Sequence, residues 1–194
     1  MEINLNQLFS NSPKRKFINT QLTQSAVLVP IFYKNGKLHI LLTRRSEKVL
    51  HHKGQIAFPG GAHNEADASL LETALRESME EIGLDPRDAE IVGELDDTPT
   101  TTSGFIITPF VATIPYPYKF TPNPNEIAEI FDVPVHTLLR KATVRQEPQS
   151  INGEPIIELF YEYEGIIIWG ATARILKQLL NLIESLVELS DKDI

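Results

Sequence analysis

Residues 60–84 read GGAHNEADASLLETALRESMEEIGL. The stretch opens on a glycine pair and closes on Gly83, and between them Asp67 to Ile82 has the pattern of one helix. Leu71, Ala74, Leu75, Ser78 and Ile82 recur at helical spacing and face the core, and Gly83 stops the helix. Asp67 is the expected N-cap. Glu77, Glu80 and Glu81 stand at i, i+3 and i+4, the spacings that share one helix face, so their side chains are expected to converge. Like charges that close repel, and Arg76, four residues before Glu80, offers only one positive charge. A hard divalent cation is the natural remainder, and an all-oxygen ligand set suits magnesium or manganese better than zinc. Gly60 and Gly61 permit a sharp loop whose backbone amides can approach phosphate oxygens, which makes both candidate substrate contacts.

The sequence on either side of this helix reads as strands. Ser25 to Phe32 and Leu38 to Thr43 are apolar runs joined through Asn35-Gly36, a pair that accepts the positive φ of a tight hairpin turn. Ala89 to Leu95, Phe105 to Ile114 and Glu126 to Pro134 follow as strand-like segments, then a short helix near Val135 to Arg140. Asn152-Gly153 predicts a second hairpin turn between Val144–Ser150 and Ile156–Tyr163, and Ile166 to Trp169 is a last strand. From Ala171 to Leu189, apolar residues at helical spacing predict an amphipathic helix that covers a sheet face. Hairpins interleaved with a few helices give an α+β domain with mixed sheets and helices on the faces. The expected organisation is an arm or short helix over 1–24, one domain over 25–189 and a tail over 190–194.

Composition limits what the chain can do. Its 194 residues fit one domain, and 42% hydrophobic with 23% charged residues is ordinary for a folded soluble protein. A formal charge of −8 disfavours nucleic acid and anionic membrane as partners. The absence of cysteine excludes a disulfide framework, a zinc-thiolate site and a thiol nucleophile. With no signal-peptide pattern near Lys14-Arg15-Lys16 and no spanning apolar run, a cytoplasmic protein is the default expectation.

The stretch Phe58-Pro59-Gly60-Gly61 to Leu84 resembles a Nudix box, whose pattern is G-x5-E-x7-R-E-U-x-E-E-x-G-U with U a bulky apolar residue. The second half matches except for Ser78 at an apolar position. The first half departs: Gly61 to Arg76 is one residue longer than the pattern, and the early glutamate falls on Ala68, beside Asp67. The resemblance implies an α/β/α sandwich with mixed sheets and flanking helices, Mg2+ or Mn2+ held by Glu77, Glu80 and Glu81, and Arg76 as the buried partner that orients them. It also implies a further acid on a late loop, for which Glu126 is the first candidate as general base, with Glu80 as the alternative.

Leu41-Leu42-Thr43-Arg44-Arg45-Ser46, followed by His52-Lys53-Gly54-Gln55-Ile56-Ala57-Phe58-Pro59-Gly60-Gly61, is similar to the segment that runs into the box in coenzyme A pyrophosphatases. Asn123 to Phe131 and Gly170 to Arg174 look like later landmarks of that branch, so the likeness runs from about Ser25 to Leu180. One departure is that Leu50 and His51 stand where the branch usually has arginine. Arg44 and Arg45 point to opposite faces of a strand, and the family pattern favours Arg45 as the phosphate contact. His51 and His52 are expected to be solvated, Phe131 and Trp169 to be core aromatics, and Arg174 to make a structural salt bridge.

The expected substrate is a small-molecule diphosphate: coenzyme A or an acyl derivative, cleaved to 3′,5′-ADP and the matching phosphopantetheine. The alternatives are another nucleoside diphosphate derivative such as ADP-ribose, or a nucleoside triphosphate, because specificity lives in other loops. A non-catalytic nucleotide-binding regulator is disfavoured, since such modules commonly lose box carboxylates and all three are present here. A homodimer is left open by the sequence.

Overall fold

A computed structural model describes residues 9, 14–17, 19, 21–140, 143–151 and 154–190. Its central strand is β1 (Thr23–Lys34), which turns through Asn35 and Gly36 into β2 (Lys37–Arg45). Both turn residues take positive φ, 53° and 72°, as the Asn-Gly pair requires. On its other side β1 runs parallel to β7 (Phe105–Thr113). Parallel neighbours need a crossover. The chain between them supplies it through β3 (Ile56–Ala57), β4 (Gly60–Ala62), α1 (Leu70–Ile82), a 3-10 turn at Pro86–Asp88, β5 (Glu90–Glu94) and β6 (Thr98–Pro99). β4 pairs with the first part of β1, and β8 (Ile127–Pro134) pairs with β2, completing an eight-stranded mixed sheet.

Alternation along β1 sends Ala26, Leu28 and Phe32 to one face, where they pack with Ala74 and Ile82 of α1. Val29 and Ile31 go to the other face. That face is covered by α3 (Gly170–Ser190) together with a small antiparallel sheet of β9 (Val144–Ile151), β10 (Glu154–Tyr163) and β11 (Ile166–Ile168), reached through α2 (Val135–Leu138). Ile175, Leu176, Leu179 and Ile183 of α3 are fully buried there, each contributing about 1.5–3 kcal/mol of apolar transfer. The expected α+β architecture, with mixed sheets and flanking helices, is the observed one. Among the described residues no helix is long and apolar enough to cross a membrane.

Several details differ from expectation. α1 starts at Leu70 with Ser69 as its cap, the hydroxyl accepting from the Glu72 amide at 3.2 Å, and Asp67 lies outside the helix with another partner. Trp169 is 43% exposed, on the same outward alternation as the 44% exposed Ile167 of β11, so it is not a core aromatic, whereas Phe131 does pack against the core. Arg174 behaves as expected, 3.7 Å from the buried Glu158 and donating to the Pro99 carbonyl at 2.8 Å. His51 and His52 are exposed. The predicted turn at Asn152-Gly153, residues 1–8 of the expected arm or short helix, and residues 191–194 of the tail lie outside the described residues. Residues 14–17 of the arm do dock: the Arg15 and Phe17 amides donate to the carboxylates of Asp96 and Asp97, each at 2.8 Å.

Candidate active site

α1 presents its acids toward the β2 and β4 ends because its opposite face is held by Ala74, Ser78 and Ile82. Ser78 occupies an apolar position of the pattern without cost. Its hydroxyl is fully buried and donates to the Ala74 carbonyl at 2.7 Å, so the helix itself satisfies it. The helix ends on Gly83 at φ 70°, whose amide returns to the Met79 carbonyl. Two more amides arrive from the strand-to-strand segment after β7: Thr121 donates to the Ile82 carbonyl and Asn123 to the Glu81 carbonyl, both at 2.9 Å. The same Asn123 side chain donates to Glu126 Oε1 at 2.9 Å. The C-terminal end of α1 and the Glu126 turn are therefore one hydrogen-bonded unit.

The three box glutamates differ in exposure: Glu81 side chain 3%, Glu77 17% and Glu80 54%. Glu81 turns inward, accepting from the Gly60 amide at 3.1 Å, with Arg45 Nη1 3.6 Å away. Burial pushes its carboxyl up to about 7. The Gly60 amide and Arg45 pull it back, and the charges of Glu77 and Glu126 add to the rise. Glu77 is also raised, chiefly by burial, with Arg76 opposing and Glu80 and Glu126 adding. Glu77 and Glu80 both accept from Arg76 Nη1, at 2.8 and 3.1 Å. As they stand, the three carboxylates do not meet at a point. Among the described residues, no group of three acidic or histidine side chains is gathered closely enough to hold a metal ion. The physical reason is that like charges separate toward whatever positive partner each can reach, here Arg76 for two of them and the Gly60 amide with Arg45 for the third.

Arg76 is oriented by a residue whose part in the site was not legible in the spacing. Asp67 takes Nε and Nη2 of Arg76 at 2.9 and 3.0 Å, a bidentate pair, and also accepts from the Thr73 hydroxyl and the Asn64 amide. The Arg76 guanidinium holds the Asp67 carboxyl well below the usual carboxylate range, and Asp67 in turn keeps Arg76 protonated. An acid adjoining the box's early glutamate position was the available signal, but its pairing partner is nine residues away and on a helix that starts later than expected.

For Gly60 the structure gives a different use from the one the sequence suggested. The Gly60 amide is committed to Glu81 rather than offered to a phosphate, and both glycines lie in β4, paired with Ala26 and Val27. What they provide is room. A Cβ on Gly60 would fall 2.3 Å from the Ala26 carbonyl oxygen, and one on Gly61 would fall 2.5 Å from Glu77 Cδ. Arg45, at the end of β2, is turned to the α1 face, and its Nε is buried without a hydrogen-bond partner among the described residues. Arg44 points the other way and pairs with Glu129 at 3.1 Å.

A helix of acids backed by glycines carries a half-buried arginine that holds two of the acids, and a second arginine faces the third. Residues 22–152 match the NUDIX domain model, and the chain belongs to the Nudix hydrolase family. It is 38% identical over 172 residues to the Photorhabdus laumondii protein named Uncharacterized Nudix hydrolase NudL, covering 89% of this chain and 90% of that one. The protein of the same name from Pectobacterium atrosepticum is 40% identical over 161 residues, covering 82% of each. Among solved structures, a MutT/nudix family protein from Enterococcus faecalis superposes with a TM-score of 0.58 over 90% of this chain and 66% of that one, at 16% identity. Members of the family generally work with a divalent ion, typically Mg2+ or Mn2+.

Proposed function

We propose that this protein hydrolyses the diphosphate bond of coenzyme A or its acyl derivatives, releasing 3′,5′-ADP and the matching phosphopantetheine. The observation that carries the reading is the position of Arg45. It ends the strand that resembles the coenzyme A pyrophosphatase segment and lies 3.6 Å from Glu81 on the box helix, with donor capacity not yet used. A planar guanidinium beside a carboxylate cluster suits a phosphoryl oxygen better than a point charge does.

Glu77, Glu80 and Glu81 are the residues that would hold Mg2+ or Mn2+. Their donors are all oxygen, two of them are desolvated carboxyls with raised pKa, and the missing Cβ of Gly61 leaves the space in which Glu77 lies. When bound, the ion screens phosphoryl charge and lowers the pKa of a water it holds. The chain supplies the rest. Arg45 orients and neutralises the diphosphate. Water adds to phosphorus, the anhydride P–O bond breaks, and Glu126, held by Asn123, accepts the water's proton, with Glu80 as the alternative base. Arg76, fixed by Asp67, keeps Glu77 and Glu80 on the reacting side.

The test is incubation of purified protein with coenzyme A and magnesium, followed by chromatography for 3′,5′-ADP. Product from the wild type and none from Glu81→Gln supports the assignment; no product from the wild type, with turnover of ADP-ribose instead, sinks it.

A further inference from the structure

On the α1 face of the large sheet, in a lining that includes none of the box carboxylates, lies a half-open groove of about 580 Å³. Small-molecule sites commonly enclose ~300–1,000 Å³. Its floor is Phe32 of β1, Leu41 of β2 and Ile130 of β8, and its walls are Ile114, Tyr116 and Phe120 from the segment between β7 and β8. Phe32 and Tyr116 stack with centroids 5.1 Å apart and planes within 6°, giving one wall a flat aromatic surface. Phe32, Leu41, Ile114, Phe120 and Ile130 belong to the same apolar cluster as Ala74 and Ile82 of α1, which places cavity and acidic helix on one side of the sheet.

Two connections join this cavity to the reacting end. Leu41 and Arg45 point to the same face four residues apart on β2, a span of about 13 Å. Pro122 and Ala128, both in the lining, flank the Asn123–Glu126 turn whose first amide is bonded to the Glu81 carbonyl.

Charge then distinguishes the two ends. The charged groups lining the cavity are Lys34, Glu129 and Asp132, one positive and two negative, and Lys34 is already engaged by Asp132 at 3.0 and 3.1 Å. Glu129 is in turn paired with Arg44 at 3.1 Å, so the lining offers a phosphate no unengaged cation and tolerates an uncharged chain. Following Arg45 in the chain, the loop over residues 46–55 exposes Lys48, His51, His52 and Lys53 against one acid, Glu47.

We propose that the substrate lies with its phosphorylated nucleotide toward the 46–55 loop and its uncharged thioester-bearing arm across the Asn123–Glu126 turn, the acyl chain filling the cavity walled by Phe32 and Tyr116. This rests on the coenzyme A reading above and adds the orientation of that substrate and the place of its acyl group. Tyr116 is half exposed, so Tyr116→Asp puts a charge in the wall without emptying the core. The ratio of kcat/KM for S-octanoyl-coenzyme A to that for coenzyme A falls at least tenfold in Tyr116→Asp and stays near the wild-type value in Tyr116→Phe, which keeps the stack. Independently, S-octanoyl-pantetheine, which carries no phosphate, gives saturation-transfer NMR signals with the wild type that Tyr116→Asp abolishes. An unchanged ratio, or a pantetheine signal indifferent to the substitution, overturns the proposal. A wild-type protein that binds S-octanoyl-pantetheine in a Tyr116-dependent way yet cleaves no coenzyme A would leave the cavity assignment standing and remove the enzymatic reading instead.

Discussion

Two adjacent glycines are expected to fail in opposite ways when each gains a methyl group. A Cβ on Gly60 would lie 2.3 Å from the Ala26 carbonyl oxygen and 2.6 Å from Val27 Cα, in the part of β1 that is paired on both sides and cannot retreat. Comfortable carbon contacts are ~3.5–4.0 Å, so the overlap is about 1 Å. Overpacking of that kind costs ~1–3 kcal/mol, and a side chain at Gly60's φ of 153° adds a similar amount. Together they lower Tm by roughly 5–20 °C, at ~2–4 °C per kcal/mol for a chain of this size. The same methyl on Gly61 meets the Glu77 carboxylate first, its oxygens 2.7 Å away. That group is the far end of a flexible side chain, so Gly61→Ala keeps its Tm within about 2 °C of wild type. It moves the carboxylate by about 1 Å, however, and a misplacement of that size costs ~10²-fold in turnover. Calorimetric melting and kcat/KM on both variants separate the effects. If Gly61→Ala melts as low as Gly60→Ala, or turns over substrate like the wild type, the argument that Gly61 exists to make room for Glu77 is wrong.

Asp67→Asn removes the charge but not the shape of Arg76's bidentate partner, and activity is expected to fall more than tenfold while the far-ultraviolet spectrum is unchanged; rescue by Asp67→Glu would tie the loss to orientation of Arg76. Because Asp67 is held below the ordinary Asp value of ~3.9, its stabilisation is present above that pH and is lost as pH falls through the lower folded value; acid titration should therefore show the wild type losing its advantage over Asp67→Asn below about pH 4. For Glu81 the sign is reversed. Its folded pKa is raised to about 7, so its ionisation favours the unfolded chain progressively from about pH 4.3 and reaches a plateau above pH 7, worth roughly 3 kcal/mol. Without added divalent ion, Glu81→Gln should thus melt higher than wild type at pH 8 and equal to it at pH 4; equal melting at both values would refute the assigned burial. Ser69→Ala is expected to cost ~1 kcal/mol in chemical denaturation by removing the cap of α1.

Much of this arrangement was legible in the sequence because it is written locally. Asn35-Gly36 fixes its hairpin by backbone chemistry, and Glu77, Glu80 and Glu81 share a face by helix geometry alone. The start of α1 was misread because Asp67 and Ser69 are both good caps, and what separates them is that Arg76 takes Asp67 for itself, a contact made only once the loop has folded back. β3 and β4 were not distinguished as strands because two or three residues carry no period. Glu126 came from resemblance; its bond to Asn123 is local, but its place at the end of α1 depends on a later segment of the chain docking onto the last helical carbonyls. Convergence of the carboxylates is the point at which spacing says least, since a shared face does not determine which partner each acid turns to.

The amides of Thr121 and Asn123 clasp the last carbonyls of α1, so the acidic helix and the turn bearing Glu126 move as a single piece. An insertion between residues 115 and 128 would therefore shift the reacting groups as well as whatever lies beyond them. Exchange of this stretch between relatives should succeed only when the end of the helix is transplanted with it, which makes the pair, rather than either segment, the unit that evolution can trade.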